Sequence, residues 1–250
     1  MINREPFVSQ TGTNSPTGFD IDLMNYISDL IGLKFTYQYR LFAELIPAVQ
    51  SDTNAISISV QTDTVAREQL VNFAQFFQTG TGFFVRSDST LNIQTLADLC
   101  GRTVVVLTGT IQVNDVQTQN TLCGTNAITI QTVGTGAEAR TAVRNGVAQV
   151  GLEDDALVAY FTAQSNSELK AVGTPYNVAP YGIVCNKQNS ALCCLLVNAI
   201  NYLIQRGTYQ SLFPKYSFTF SRNGICPSRL NLNGSTCAGA CVPSGGICPS

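Results

Sequence analysis

Four groups of residues in this chain have types and spacing suited to chemistry. Thr62-Asp63-Thr64-Val65-Ala66-Arg67 follows an apolar run and opens a short helical pattern, which sets a guanidinium fork beside hydroxyls that support it. Such a fork holds a carboxylate; the same pattern also suits a solvated arginine on a helix's first turn. Val104-Val105-Val106-Leu107-Thr108-Gly109-Thr110-Ile111-Gln112 reads as a buried strand, a glycine turn and a helix start. Free N–H groups at a helix start attract an anion, although an ordinary strand-to-helix turn looks alike. The run lacks the Gly-Lys-Ser/Thr ending of a phosphate loop. Glu153-Asp154-Asp155 closes an apolar strand, at the edge where open α/β sheets take ligands. A carboxylate there either pairs with an ammonium group or caps the helix that starts at Ala156. Phe42, with apolar neighbours, either walls a pocket or is plain core.

Composition limits what these groups can be part of. The chain has 250 residues, enough for one large domain or two small ones with a sizeable core. Apolar residues make up 44%, so it is not a disordered chain, and charged residues are only 12%. Fourteen Lys and Arg against sixteen Asp and Glu give a net charge of −2, which offers no footprint for nucleic acid or an anionic membrane. The absence of histidine excludes Ser-His-Asp and Cys-His catalysis and every His-ligated metal. No metal or cofactor site is expected. No apolar run reaches the roughly 18 residues of a membrane span; Leu192–Ile204 is broken by Asn198 and Asn201.

Nine cysteines in so uncharged a chain suggest an oxidising compartment, hence secretion to a periplasmic or extracellular space. The last four, Cys226, Cys237, Cys241 and Cys248, match no common four-cysteine zinc ribbon. Cys100 and Cys123 bracket a strand-turn-helix unit and are the expected disulfide. Asn233-Gly234-Ser235 is a glycosylation sequon. Residues 1–6 hold no basic start followed by an apolar stretch, so the numbering is expected to begin inside a longer precursor.

The elements that must position these groups alternate. Strands are predicted at Lys34–Gln38, Ala55–Val60, Gly82–Val85, Thr103–Leu107, Ala127–Thr132, Val147–Leu152 and Gly182–Cys185. Between them, Ile21, Met24, Ile27, Leu30 and Ile31 repeat at helical spacing with Gly32 as the stop. Ala139, Ala142 and Val143 repeat ahead of Gly146, and Leu192 to Leu203 ahead of Gly207. Such alternation argues for an α/β fold with mostly parallel sheets and helices on both faces. From Ser221 onward Gly, Pro, Ser and Cys take over, which reads as a Cys-rich C-terminal tail over 221–250.

The order of several motifs carries more than any one. Gly18-Phe19-Asp20-Ile21-Asp22-Leu23, Leu45-Ile46-Pro47-Ala48, Thr64-Val65-Ala66-Arg67-Glu68 with Asn72-Phe73, and Leu99-Cys100-Gly101-Arg102-Thr103-Val104 come in one series. It continues through Asn145-Gly146 to Asp154, Arg206-Gly207-Thr208-Tyr209 and Lys215-Tyr216. The series resembles the bacterial family 3 extracellular solute-binding proteins, which share a lobe pair with the ligand-binding core of ionotropic glutamate receptors. The resemblance implies the two-lobe, type II periplasmic-binding-protein-like fold with two crossover hinge strands. Lobe 1 would be residues 1–80 plus 180–220, with its first strand missing, and lobe 2 residues 85–175. A free amino acid would be captured between the lobes by hinge closure, for transport or signalling.

Roles follow by position. Arg67 matches the arginine that clamps the ligand's α-carboxylate, Thr62 a supporting hydroxyl, and Val60 the residue whose carbonyl faces the α-ammonium. Thr110 and Ile111 match the helix start that also holds the carboxylate. Asp154 matches the acid that binds the ammonium, and Phe42 the aromatic that packs over the ligand. Departures are Ile111 in place of a Ser or Thr, Ala55 and Gln149 in place of Asp, and Asp63 in place of an apolar residue. The implied partners are an amino acid and an ABC transporter permease or membrane receptor, with the binding protein a monomer. Two alternatives have the same fold: a cyclohexadienyl dehydratase-like enzyme, for which Asp154 is the obvious acid or base, and a degenerate domain without ligand.

Overall fold

The computed structural model describes residues 4–9, 15–164 and 168–232. In chain order α1 (Phe19–Ile31), α2 (Leu45–Ser51), β1 (Ile56–Ser57), α3 (Val65–Glu68) and β2 (Val71–Arg86) come first. They are followed by β3 (Thr103–Leu107), α4 (Ile111–Leu122), β4 (Thr129–Val133), α5 (Gly136–Arg144), β5 (Val150–Asp154) and α6 (Asp155–Thr162). The last described elements are β6 (Leu169–Asn186), α7 (Ser190–Gln205), α8 (Thr208–Lys215) and α9 (Phe220–Asn223). The strands hydrogen-bond in the order β1-β6-β2-β5-β3-β4. The sheet is mixed: β3 pairs in parallel with β4 and β5, while β1 with β6 and β2 with β5 are antiparallel. The expected preponderance of parallel pairing therefore holds for the β4-β3-β5 segment, where α4 and α5 carry the chain back across the sheet between strands.

The chain divides into two compact units, one of Met1–Arg40, Glu44–Thr79 and Ala179–Ser250, the other of Leu41–Ala43 and Gly80–Val178. It passes from one to the other within β2 and again within β6. In the second unit the strands carry two cores. Phe83, Val85, Val104, Val106, Val150 and Leu152 fill one side of the sheet; Phe84, Val105, Ala139, Val143 and Val158 fill the other. Successive side chains of a strand point to opposite faces, so the uninterrupted Val104-Val105-Val106 run is what a strand covered on both sides requires.

The first unit packs mainly through rings. Phe77 is fully buried with its ring 4.9 Å from Phe7, 5.4 Å from Phe19, 5.0 Å from Phe218 and 5.8 Å from both Tyr181 and Phe213. α1 contributes Phe19, Leu23, Met24 and Ile27 to this interior and stops at Gly32, whose φ of 71° is the left-handed cap expected of that glycine.

Two expectations fail here. Lys34–Gln38 joins no ladder among the described residues, and a strand needs a neighbour to take its N–H and C=O groups. A cavity of about 350 Å³ lies there, lined among others by Tyr37, Val49, Ile56 and Ser57. The strand expected over Ala55–Val60 shortens to Ile56–Ser57, because the chain bends at Ser59 and Val60. Of the region from residue 221, the described residues 221–232 are held by polar side chains. Ser228 Oγ donates to the Gln75 carbonyl at 2.6 Å, and Asn231 Oδ1 accepts from the Phe73 N–H at 2.7 Å. Polar side chains thus dock this segment along β2 as far as Leu232.

Cys100 and Cys123 form the expected disulfide, with Cα atoms 5.4 Å apart. Cys185 is joined to Cys193, and Cys194 and Cys226 are also disulfide-bonded. Cys237, Cys241, Cys248 and the Asn233 sequon lie outside the described residues. Removing the first bridge, as Cys100→Ser with Cys123→Ser, is expected to cost about 3 kcal/mol through the loop it closes, read as a lower urea midpoint at unchanged slope.

Candidate functional site

In the first unit, three of the sequence-predicted residues come together. Val60 is buried and sits at φ 49°. The left-handed region is costly for a β-branched residue, and such strain is kept where surrounding structure imposes it, commonly at ligand sites. Two residues on, Thr62 is buried and bridges Tyr181 of β6. Thr64 caps α3, its hydroxyl accepting from the Arg67 N–H at 3.2 Å. The cap sets the direction of the one-turn helix, and Arg67 then reaches back so that Nη1 donates to the Thr62 carbonyl at 2.8 Å. The half-buried guanidinium is thereby held by its own loop rather than left to wander in solvent.

In the second unit, β3 delivers the chain to the Thr108-Gly109-Thr110 turn. Gly109 takes φ 81°, and a Cβ there would come 3.1 Å from Ala43, so the turn needs glycine both for its backbone and for the passage of the Phe42 segment. Thr110 is the N-cap of α4, yet its hydroxyl donates to the Leu107 carbonyl at 2.7 Å and makes no cap bond. No acidic residue lies in the first turn of α4 either. The contrast with α5 is plain: there Thr135 and Glu138 form a full capping box. The α4 start, with Ile111 half-buried as its first residue, keeps its backbone donors uncapped by side chains.

Asp154 is buried at the end of β5, and it occupies the N-cap position of α6 without making a cap bond. Its Oδ1 instead accepts from Gln112 Nε2 at 3.0 Å, and the same amide nitrogen is 3.1 Å from Thr81 Oγ1 on β2. The cap reading is therefore not the one realised. Phe42 is buried, 5% exposed.

Sequence reasoning missed Gln112. The signal was a long polar residue one step past the helix start, on the side of α4 that later proves buried. It also missed Tyr176, whose OH donates to Asp115 Oδ2 at 3.0 Å. Burial raises the Asp115 carboxyl; burial, then the Asp115 charge, raises the Tyr176 phenol well beyond its ordinary range. Gln112→Ala is expected to cost about 1–3 kcal/mol, because it strips the donor from the buried Asp154 and Thr81 oxygens; a denaturant titration checks it.

Chemically the second unit offers backbone donors for an anion and a buried carboxylate for a cation. The first offers a guanidinium and a strained turn. No cluster of metal-ligating side chains occurs among the described residues, and no helix among them is long and apolar enough to cross a membrane.

The chain is similar to known proteins over most of its length. The chain is 28% identical to the arginine-binding protein ArgT of Corynebacterium glutamicum over 215 residues, 84% of this chain and 70% of that protein. It is 26% identical to the ABC transporter glutamine-binding protein GlnH of Bacillus subtilis, over 80% of this chain and 72% of that one. An ancestral arginine-binding protein bound to arginine superposes with a TM-score of 0.78 at 28% identity, covering 86% of this chain and 94% of that one. An ancestral amino-acid-binding protein described as a precursor of cyclohexadienyl dehydratase gives 0.76 at 25% identity, covering 86% and 91%. The family model for bacterial extracellular solute-binding proteins, family 3, matches residues 2–219, and the chain belongs to that family.

Proposed function

We propose that this protein binds a free amino acid without transforming it. Arg67 and the uncapped start of α4, at Thr110 and Ile111, take the α-carboxylate; Asp154 and the Val60 carbonyl take the α-ammonium, with Thr62 supporting and Phe42 shaping the apolar wall. The observation that carries the reading is Asp154, a buried carboxylate in a capping position that does no capping and is steadied by a side-chain amide. A group held this way suits a fixed cation better than a proton shuttle, which favours binding over dehydratase chemistry. The named relatives bind arginine or glutamine. Delivery to an ABC permease from an extracellular or periplasmic space, as a monomer, completes the proposal.

A thermal-shift screen of the oxidised protein against the twenty amino acids tests it. At least one is expected to raise the melting temperature by several degrees, since a ligand at 100 times its Kd adds about 2.7 kcal/mol. A flat screen would favour a domain that kept the fold and lost its ligand. Turnover of prephenate or arogenate to an aromatic product would favour the enzyme.

A further inference from the structure

Beside the arginine clamp lies a carboxyl that the binding reading does not use. Asp63 stands between Thr62 and the N-cap of α3 and is 1% exposed. Its backbone N–H donates to the Pro180 carbonyl of β6 at 2.8 Å, which fixes the main chain of the loop at this residue. One side-chain oxygen, Oδ2, accepts from Gln75 Nε2 on β2 at 3.0 Å. The other, Oδ1, is buried with no hydrogen-bond partner among the described residues. The titratable groups facing it are Glu68 and Arg67, both on α3; β2 presents the neutral Gln75, and the start of the Pro180 segment presents a carbonyl. Glu68 is itself fixed, Oε1 accepting from the Leu232 N–H at 2.6 Å.

A buried carboxylate oxygen with no donor, next to a second carboxylate, is poorly placed to carry charge. A protonated carboxyl in the same place is well placed: it accepts from Gln75 and offers its O–H toward Glu68. The guanidinium four residues later then keeps its full attraction for an anion, whereas an ionised Asp63 sets a negative charge beside it.

We propose that Asp63 is a positioning residue for the Arg67 clamp, holding a proton when the clamp binds an anionic group and weakening that binding when it ionises. The proposal rests on the amino-acid-binding reading for its ligand but not for its proton. Burial first, and then Glu68, raise the Asp63 carboxyl to about 7, against the Gln75 hydrogen bond and the Arg67 charge that lower it. A carboxyl raised in the folded state adds stability that is full below its unfolded value near 4 and is lost as the pH rises through about 7.

The test uses the full chain, with L-arginine and L-glutamine as probes, followed by calorimetry and thermal shift from pH 5.5 to 8. Wild-type affinity is expected to fall about tenfold across that range, while Asp63→Asn, which keeps the shape and both hydrogen bonds, changes less than about twofold. Without any probe, the melting temperature of Asp63→Asn is expected to pull ahead of wild type as the pH rises. Glu68→Gln, which removes the neighbouring charge, should move the wild-type midpoint to lower pH and serves if Asp63→Asn fails to fold. Parallel melting curves without probe would overturn the bound proton. Equal pH slopes of affinity in wild type and Asp63→Asn would overturn the coupling to the clamp. Silence of both probes at every pH, with diverging probe-free curves, would uphold the proton and, together with a flat screen over the twenty amino acids, remove the binding reading instead.

Discussion

Arg67→Ala is expected to erase the rise in melting temperature that an amino acid confers, while leaving the ligand-free melting temperature within a few degrees of wild type. The two effects separate because the side chain lies on a partly exposed turn, where its bond to the Thr62 carbonyl ties it to its own loop. Its larger effect is on the ligand: leaving a carboxylate without its charged partner costs about 2–5 kcal/mol, which is roughly 30-fold to several thousandfold in affinity. Arg67→Lys should fall between, since it keeps the charge but loses the planar two-donor fork. Calorimetry on the three proteins checks both statements. If Arg67→Ala retained wild-type affinity, the guanidinium would be the solvated first-turn arginine that its sequence context also allows.

Phe77→Ala should be the most damaging core substitution in the first unit. The ring is fully buried and lies between 4.9 and 5.8 Å from five others, in edge-on and stacked arrangements. Truncation removes the buried area and leaves a hole that a shell of rigid rings cannot refill, so a cost of about 3–5 kcal/mol is expected. For a chain of this size that lowers the melting temperature by roughly 6–20 °C. Phe77→Leu should recover about half, because much of the volume returns without the ring-to-ring geometry. Equal losses in the two variants would mean that the ring packing, rather than the cavity, is what the site needs.

Where the sequence pattern carried its own physics, it was legible. Thr103–Leu107 is a strand at the predicted limits, because a run of valines between a glycine-led turn and the Gly109 turn has few other uses. α1 ends at its predicted glycine for the same kind of reason. The long strands were seen only in part. Gly80 and Gly82 interrupt the apolar pattern of β2, and Gly173, Pro175 and Pro180 that of β6, so Gly82–Val85 and Gly182–Cys185 stood out while the rest looked like loop.

The candidate site was less legible than the fold. Arg67 and Asp154 were marked by type and position, but each had an equally ordinary use. What separates the uses is a third residue remote in the chain: Thr81 and Gln112 for Asp154, Gln75 for Asp63. A single sequence has no period that links residue 63 to 75 or 112 to 154.

The division of the chain has a consequence for how the protein is made. The second unit is almost continuous, Gly80–Val178, whereas the first needs Phe7, Phe77, Phe213 and Phe218 together before its rings can pack. On a ribosome, residues 80–178 can therefore collapse around finished strands while the amino-terminal segment still waits for its carboxyl-terminal half. During that interval the unpacked phenylalanines of residues 4–79 are what a chaperone would hold.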